Sequence, residues 1–290
     1  MTAIGIAGLG LMGQAFASRL QAAHYEVRAF DVNPERGENF GAEHLCTSAH
    51  DLANQCGVVI LCVFNTDQVD QVIFGPQGLL VDNKNNGLKI ICTSTCDPEQ
   101  IEDIAQRCMT VGSSFLELPM SGTSLQVSRG DGVGLMGGAV ELCDELSEIL
   151  DVMCPTRHHI GTVGDANRAK LAVNLVLGLH RASLAEGLNF GQRLGLDPAR
   201  LLHVLEHSAA ASSVMPIKGP LMVRREYHAP QSRVDQSLKD FGLIQGLGAK
   251  IGQKLPMTDV YIKLMQSCLN RGEGHLDNAI IYEAIFRGEI

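Results

Sequence analysis

Apolar residues fall along this chain in two regimes. Up to about residue 160 they form short blocks of strand length separated by helical stretches. Beyond that point they recur at 3.6-residue spacing with no strand signal. Ala3–Ala7, Val27–Phe30, Val58–Val63, Leu88–Cys92, Ser114–Leu118, Val133–Gly138 and Thr156–Ile160 read as strands. The unbroken run Val58-Val59-Ile60-Leu61-Cys62-Val63 has the character of a parallel strand buried on both faces. Between the strands, Gln14–Leu20, Ala49–Gln55 behind a Ser48 cap, and Val69–Ile73 read as helices. Asn33-Pro34-Glu35 opens a short helix, Asp97-Pro98-Glu99 opens another through about Cys108, and Glu141–Val152 is amphipathic. Strands and helices alternating at these lengths predict βαβ units and a mainly parallel, doubly wound sheet.

The second regime opens near Gly161-Thr162-Val163-Gly164. Asp165 to Leu194 contains no proline and predicts one helix of about 30 residues, spanning roughly 45 Å. Gly195-Leu196-Asp197-Pro198 stops it and starts the next. The remaining helical segments are divided by Pro216, Pro220, Pro230 and the Gly252–Pro256 turn. The reading is therefore an α/β domain over residues 1–162 and an all-α C-terminal domain over 163–290, introduced by the long helix. The apolar faces of that helix call for further helices and a second subunit, giving a homodimer or homotetramer.

Composition narrows the partners. The net charge of −9 and the lack of a basic block argue against nucleic acid and anionic membranes. No run reaches the ~18 apolar residues of a membrane span. Nine cysteines without a Cys-x-x-Cys pair read as reduced and buried, which implies a cytoplasmic protein without a structural metal. None of the ten histidines is assigned a partner at metal or triad spacing, and all are read as structural or exposed.

Chemistry is most legible in the first strand–turn–helix. Gly8-Leu9-Gly10-Leu11-Met12-Gly13 joins them: Gly8 for the tight turn, Gly10 for close approach of a pyrophosphate, Gly13 for helix–strand packing. The N-terminus of the helix offers N–H groups and a positive dipole end to the diphosphate. Asp31 ends the second strand, where a carboxylate accepts ribose hydroxyls and repels a 2′-phosphate. The arrangement is a Rossmann-type dinucleotide site. Further on, Lys170 and Asn174 stand at i and i+4 on one face of the long helix. They are either a solvated pair or a proton-handling lysine with an orienting amide; free lysine titrates near ~10.4, so the second role requires that value to be lowered. Lys239-Asp240 is either a surface ion pair or a lysine held near a nicotinamide. Ser121-Gly122-Thr123, at a strand exit, offers hydroxyls and free backbone N–H groups suited to a carboxylate.

Taken together, these motifs resemble the β-hydroxyacid dehydrogenase family, over essentially the whole chain. Gly8–Gly13 matches its Gly-Leu-Gly-x-Met-Gly start, Ser94-Thr95 its Ser-Thr after the fourth strand, and Val63-Phe64-Asn65 the preceding cofactor loop. Ser121-Gly122 matches its substrate serine–glycine. Gly164, Lys170 and Asn174 match Gly-x5-Lys-x3-Asn, and Lys239-Asp240 its late Lys-Asp pair. The resemblance implies Lys170 as the catalytic acid/base. It implies Ser121, Gly122, Thr123, Asn174 and Asp240 at the substrate, a small hydroxy acid or its semialdehyde. Gly8, Leu9, Gly10, Leu11, Met12, Gly13, Asp31, Val63, Phe64, Asn65, Thr95 and Lys239 are then at the cofactor. The family's second glycine is Thr123 here, which points to a more polar or bulkier substrate. Asp31-Val32-Asn33 replaces the Asn-Arg-Thr of phosphorylated-cofactor members, with no arginine until Arg36, so NAD is expected rather than NADP. Imine reduction and a non-catalytic cofactor-binding scaffold are the alternative activities among such relatives.

Overall fold

The computed structural model describes residues 3–38, 40–81 and 87–288. It divides into two compact units, Met1–Lys170 and Leu171–Ile290. The first contains β1 (Ala3–Ala7), α1 (Leu11–Ala22), β2 (Val27–Phe30), α2 (Ala49–Gln55), β3 (Cys56–Leu61), α3 (Thr66–Phe74) and β4 (Lys89–Cys92). It continues with α4 (Pro98–Thr110), β5 (Ser114–Glu117), β6 (Met120–Ser121), α5 (Ser124–Arg129), β7 (Val133–Gly137), α6 (Val140–Glu145), α7 (Ser147–Met153) and β8 (Thr156–Gly161). Strand order is β2-β1-β3-β4-β5-β7-β6, with β8 beside β7. The five strands from β2 to β5 are parallel, β7 meets β5 and β6 antiparallel, and β8 runs parallel to β7.

Both faces of the sheet are covered, which explains the continuous apolar strands. Val59, Leu61, Ile90 and Cys92 bury on one face with Leu52, Val69, Ile73, Ile101 and Ile104. Ile60 and Ile91 point the other way, against Phe16, Leu20, Leu116 and Leu150. Each such fully buried aliphatic or aromatic side chain contributes roughly 1.5–3 kcal/mol of transfer free energy. The chain reverses direction across the sheet between β1 and β3, and ligands of open α/β sheets bind beyond the strand ends at such a switch.

Three expectations change in this unit. The single helix expected over Glu141–Val152 is two, α6 and α7, meeting at Leu146, whose φ of −92° and ψ of 3° leave helical geometry. No Gly or Pro marks that break. Ser114–Leu118 and Val58–Val63 end earlier, at Glu117 and Leu61. Beyond Pro119 the chain forms β6 and α5, neither of which was expected.

The long helix is present as α8 (Asp165–Arg193), 29 residues, about 43 Å. It carries Lys170 at the end of the first unit and continues into the second. There follow α9 (Pro198–Glu206), α10 (Met215–Arg224), α11 (Val234–Lys250), α12 (Pro256–Asn270) and α13 (Ile281–Arg287). Pro220 lies inside α10 instead of separating helices. Its cost is limited because the preceding Gly219 has no Cβ to meet the pyrrolidine ring. The same glycine lets Leu202 pack close. The core of this unit gathers Leu184, Leu188, Met215, Met222, Phe241, Tyr261, Met265 and Tyr282. Phe241 and Tyr261 stack with centroids 3.9 Å apart, over Gly178, where a Cβ would come within 2.5 Å of the Phe241 ring. Lys218 and Asp277, both buried, pair at 2.8 Å. No helix among the described residues is long and apolar enough to cross a membrane.

Candidate active site

The glycine turn has the geometry its spacing implies. Gly8 sits at φ 100°, and a Cβ there would lie 2.5 Å from the Cys62 carbonyl oxygen. A Cβ on Gly13 would run into the carbonyl of Gly8. These two glycines are required by the fold itself. Gly10 differs: at φ −70° and ψ −169° its backbone suits any residue, and nothing lies within 4 Å of a Cβ built on it. It is also the N-cap of α1 and supplies no side-chain cap, so the first-turn N–H groups of α1 have no partner inside the helix. Open space above a helix N-terminus at a sheet's switch point fits a diphosphate.

Asp31 is drawn into this turn. Its Oδ2 accepts the Leu9 N–H at 2.7 Å, and its Oδ1 accepts the Asn33 N–H at 2.8 Å. The side chain is only 4% exposed. Arg36 reaches Asp31 Oδ2 at 3.3 Å because the Pro34–Gly37 turn, capped by the Asn33 side chain, folds it back. The sequence reading set Arg36 aside as too distant; the structure places it beside Asp31.

The neighbouring loops are latched together. Ser94 Oγ accepts the Val63 N–H at 3.1 Å and donates to the Val63 carbonyl at 2.7 Å. Ser94, which the sequence offers only as the neighbour of Thr95, thus ties the Val63-Phe64-Asn65 loop to that half-buried threonine. Asn65 caps α3 through Gln68 N–H at 2.9 Å, and Gln68 Oε1 accepts the Phe64 N–H at 2.8 Å. The Asn65 side chain thus also has a local structural task.

At the exit of β5, Ser121 pairs with Val133 across β6–β7 and Gly122 adopts φ +140°, which favours glycine. Thr123 is the N-cap of α5. Its Oγ1 accepts the Gln126 N–H at 3.3 Å, and Gln126 Oε1 accepts the Thr123 N–H at 2.9 Å. The expected free N–H at Thr123 is therefore already used, and its replacement of the family glycine has a folding reason. Nearby, the wholly buried Glu117 accepts the Gly164 N–H at 2.6 Å and the Asn167 amide at 2.5 Å. Burial pushes its carboxyl up to about 7, against the opposing pull of these donors. Lys170 is buried, 7% exposed, and not the solvated residue that its helix position alone would give.

In the second unit, Asn174 donates from Nδ2 to Asp240 Oδ2 at 2.8 Å, and Lys239 Nζ meets Asp240 Oδ1 at 2.7 Å. Lys239 and Asp240 are mostly covered, 18% and 16% exposed. Asp240 thereby fixes the Asn174 amide. Contrary to the expectation for the histidines, His203 and Glu206 on α9 and His207 at its C-cap bring ligand atoms within 4.8 Å of one another, His203 and His207 standing at i and i+4. His158 and His159 are exposed.

Residues 3–161 match the family described as the NAD binding domain of 6-phosphogluconate dehydrogenase. Residues 164–285 match the NAD-binding domain of NADP-dependent 3-hydroxyisobutyrate dehydrogenase. The chain belongs to the β-hydroxyacid dehydrogenase family. It is accordingly an NAD(P)-dependent hydroxyacid dehydrogenase. It is 28% identical to the L-threonate dehydrogenase of Cupriavidus necator over 288 residues, covering 98% of this chain and 96% of that protein. Identity to the 2-hydroxy-3-oxopropionate reductase of Escherichia coli is 24% over 284 residues, 97% and 96% of the two chains. The crystal structure of 3-hydroxyisobutyrate dehydrogenase from Salmonella typhimurium superposes with a TM-score of 0.87 at 26% identity, covering 98% and 99%.

Proposed function

We propose that this dehydrogenase oxidises a small 3-hydroxy carboxylate to its semialdehyde, or catalyses the reverse, with NAD as the preferred cofactor and Lys170 as general acid/base. The observation that carries the reading is the burial of Lys170 on α8, four residues before an Asn174 whose amide is fixed by Asp240. A lysine withdrawn from water and held on a rigid helix can move a proton at its Nζ instead of serving as a solvated charge. The nicotinamide cofactor supplies the hydride acceptor or donor. Gly8 to Gly13 would hold its diphosphate, Asp31 its adenosine ribose, and the Val63–Asn65 and Thr95 loops the region beyond. Lys239 would stand near the nicotinamide. Ser121, Gly122 and Asn174 would orient the substrate carboxylate, and Thr123 would shape that turn as its cap. Lys170 takes the hydroxyl proton during oxidation and returns it during reduction.

NAD is favoured because Asp31 would present a nearly enclosed carboxylate to the ribose, and its contact with Arg36 at 3.3 Å engages that guanidinium. A division at 162/163, just before α8 and eight residues before the compact units part at Lys170/Leu171, and a cytoplasmic homo-oligomer belong to the same proposal. Phe190, Leu194 and Val204 leave large apolar surfaces exposed on the helical unit, where a second copy would cover them. The names of two relatives, L-threonate dehydrogenase and 2-hydroxy-3-oxopropionate reductase, point to a polyhydroxylated acid; a primary hydroxyl would give the semialdehyde, and a secondary one, as in a threonate-type acid, the corresponding keto acid. A panel of 3-hydroxy acids with NAD and NADP tests the proposal. Reduction of NAD by one acid class supports it; turnover of cyclic imines alone, or tight cofactor binding without any turnover, overturns it.

A further inference from the structure

Several helices in this chain are capped by a neighbour in sequence: Ser48 caps α2, Asn65 caps α3, Asp97 caps α4, Thr123 caps α5 and Asp197 caps α9. The start of α8 is held differently. Its own Asp165 turns back to the Thr162 N–H and hydroxyl at 3.0 and 3.1 Å. The N–H of Gly164 and the amide of Asn167 instead meet Glu117, 47 and 50 residues away. Asn167 passes the connection on, its Oδ1 accepting the Cys96 N–H at 2.8 Å, next to Thr95. Glu117 and Asn167 are wholly buried. One glycine makes room for the carboxylate and another turns a donor to it. Gly137, opposite Glu117 in the sheet, would place a Cβ 2.5 Å from Oε2, and Gly164 aims its N–H from φ +96°. A carboxylate withdrawn from water is costly unless donors compensate it, so this arrangement is a fixed junction and not a passive contact.

We propose that Glu117, acting with Asn167, is a positioning residue for Lys170. It joins the strand that leads to Ser121, the Thr95 loop and the first turn of α8 in one register. Lys170 follows Asn167 by three residues, so its backbone moves with that turn. The inference rests on Lys170 being the proton-transfer residue. A displacement of about 1 Å in such a group costs about a hundredfold in rate. Glu117→Gln keeps the size of the side chain but leaves one accepting oxygen and turns an NH2 toward one of the two donors.

The test uses the full-length enzyme and the hydroxy acid selected by the panel. Glu117→Gln is expected to lower kcat about 10- to 100-fold. The KM for the acid and the affinity for NADH should stay within about threefold of wild type, because Ser121 remains paired with Val133 and the loop before Thr95 remains latched through Ser94 to Val63. Glu117→Asp, which keeps charge and both acceptors, should recover part of kcat. Asn167→Ser breaks the same junction from the other side and decides the matter by the same kcat-against-KM split if Glu117→Gln does not fold. Wild-type kcat in both variants, or a loss confined to KM, overturns the inference. If Lys170→Ala is then inactive, the assignment of Lys170 survives that failure. A fully active Lys170→Ala overturns both.

Discussion

Gly10 and Gly13 belong to one motif but are glycine for different reasons, and alanine separates those reasons. At Gly13 a methyl would run into the Gly8 carbonyl, with the carbonyl carbon at 3.0 Å. Reaching van der Waals distance from that oxygen requires a shift of more than about 1 Å in a packed strand–helix turn. Such overpacking costs about 1–3 kcal/mol. Gly13→Ala is therefore expected to lose both stability, by several degrees of Tm, and cofactor affinity. At Gly10 a methyl meets nothing within 4 Å, and φ and ψ already suit alanine. The entropy gained in the unfolded chain, about 0.4–1 kcal/mol, roughly offsets the poorer N-cap. Tm should then move by less than about 4 °C. The methyl would occupy the space over the α1 N-terminus where a diphosphate is received. Losing one charge-assisted hydrogen bond there costs about 1.5–3 kcal/mol, or about 10- to 150-fold in Kd. Calorimetry and titration of NADH fluorescence on the two variants measure both effects. Wild-type NADH affinity in Gly10→Ala would refute the placement of the diphosphate, and a collapse of its Tm would refute the structural reasoning.

Other outcomes follow from the same geometry. Asp31→Asn keeps one acceptor for the Leu9 and Asn33 N–H groups but removes the charge; kcat/KM with NAD should fall about tenfold, and the NAD/NADP ratio should narrow. An unchanged ratio would place cofactor choice elsewhere. Glu117 is raised to about 7 in the folded protein. Its contribution to stability is fully present below its unfolded value near ~4.3 and is lost as pH rises through about 7, a change on the order of 3 kcal/mol. Urea midpoints at pH 5 and pH 8 should therefore differ less for Glu117→Gln than for wild type; equal differences would argue against the raised value.

The parts of the site legible in the sequence are those set by local backbone demands. Gly8 and Gly13 were readable because a tight turn and close helix packing leave no other residue type possible, whereas the ends of β3 and β5 were not. The capping box Thr123-x-x-Gln126 was also written in the sequence and went unread, which left Thr123 explained only as a substrate contact. Arg36 was misjudged because linear distance from Asp31 ignores the short helical turn between them. The Glu117–Asn167–Cys96 junction has no local signature at all: its members lie 50 and 71 residues apart and meet only after the sheet and α8 have formed. Pro220 misled because its effect depends on Gly219 and the packing of Leu202.

The most direct test of the proposed mechanism is single-turnover hydride transfer in Lys170→Ala, followed by NADH absorbance after mixing with NAD and the selected hydroxy acid. NADH affinity should stay within about threefold of wild type while the rate of the hydride step falls by 10²-fold or more, the range lost with a positioned acid/base. A hydride step at the wild-type rate would contradict the assignment of Lys170.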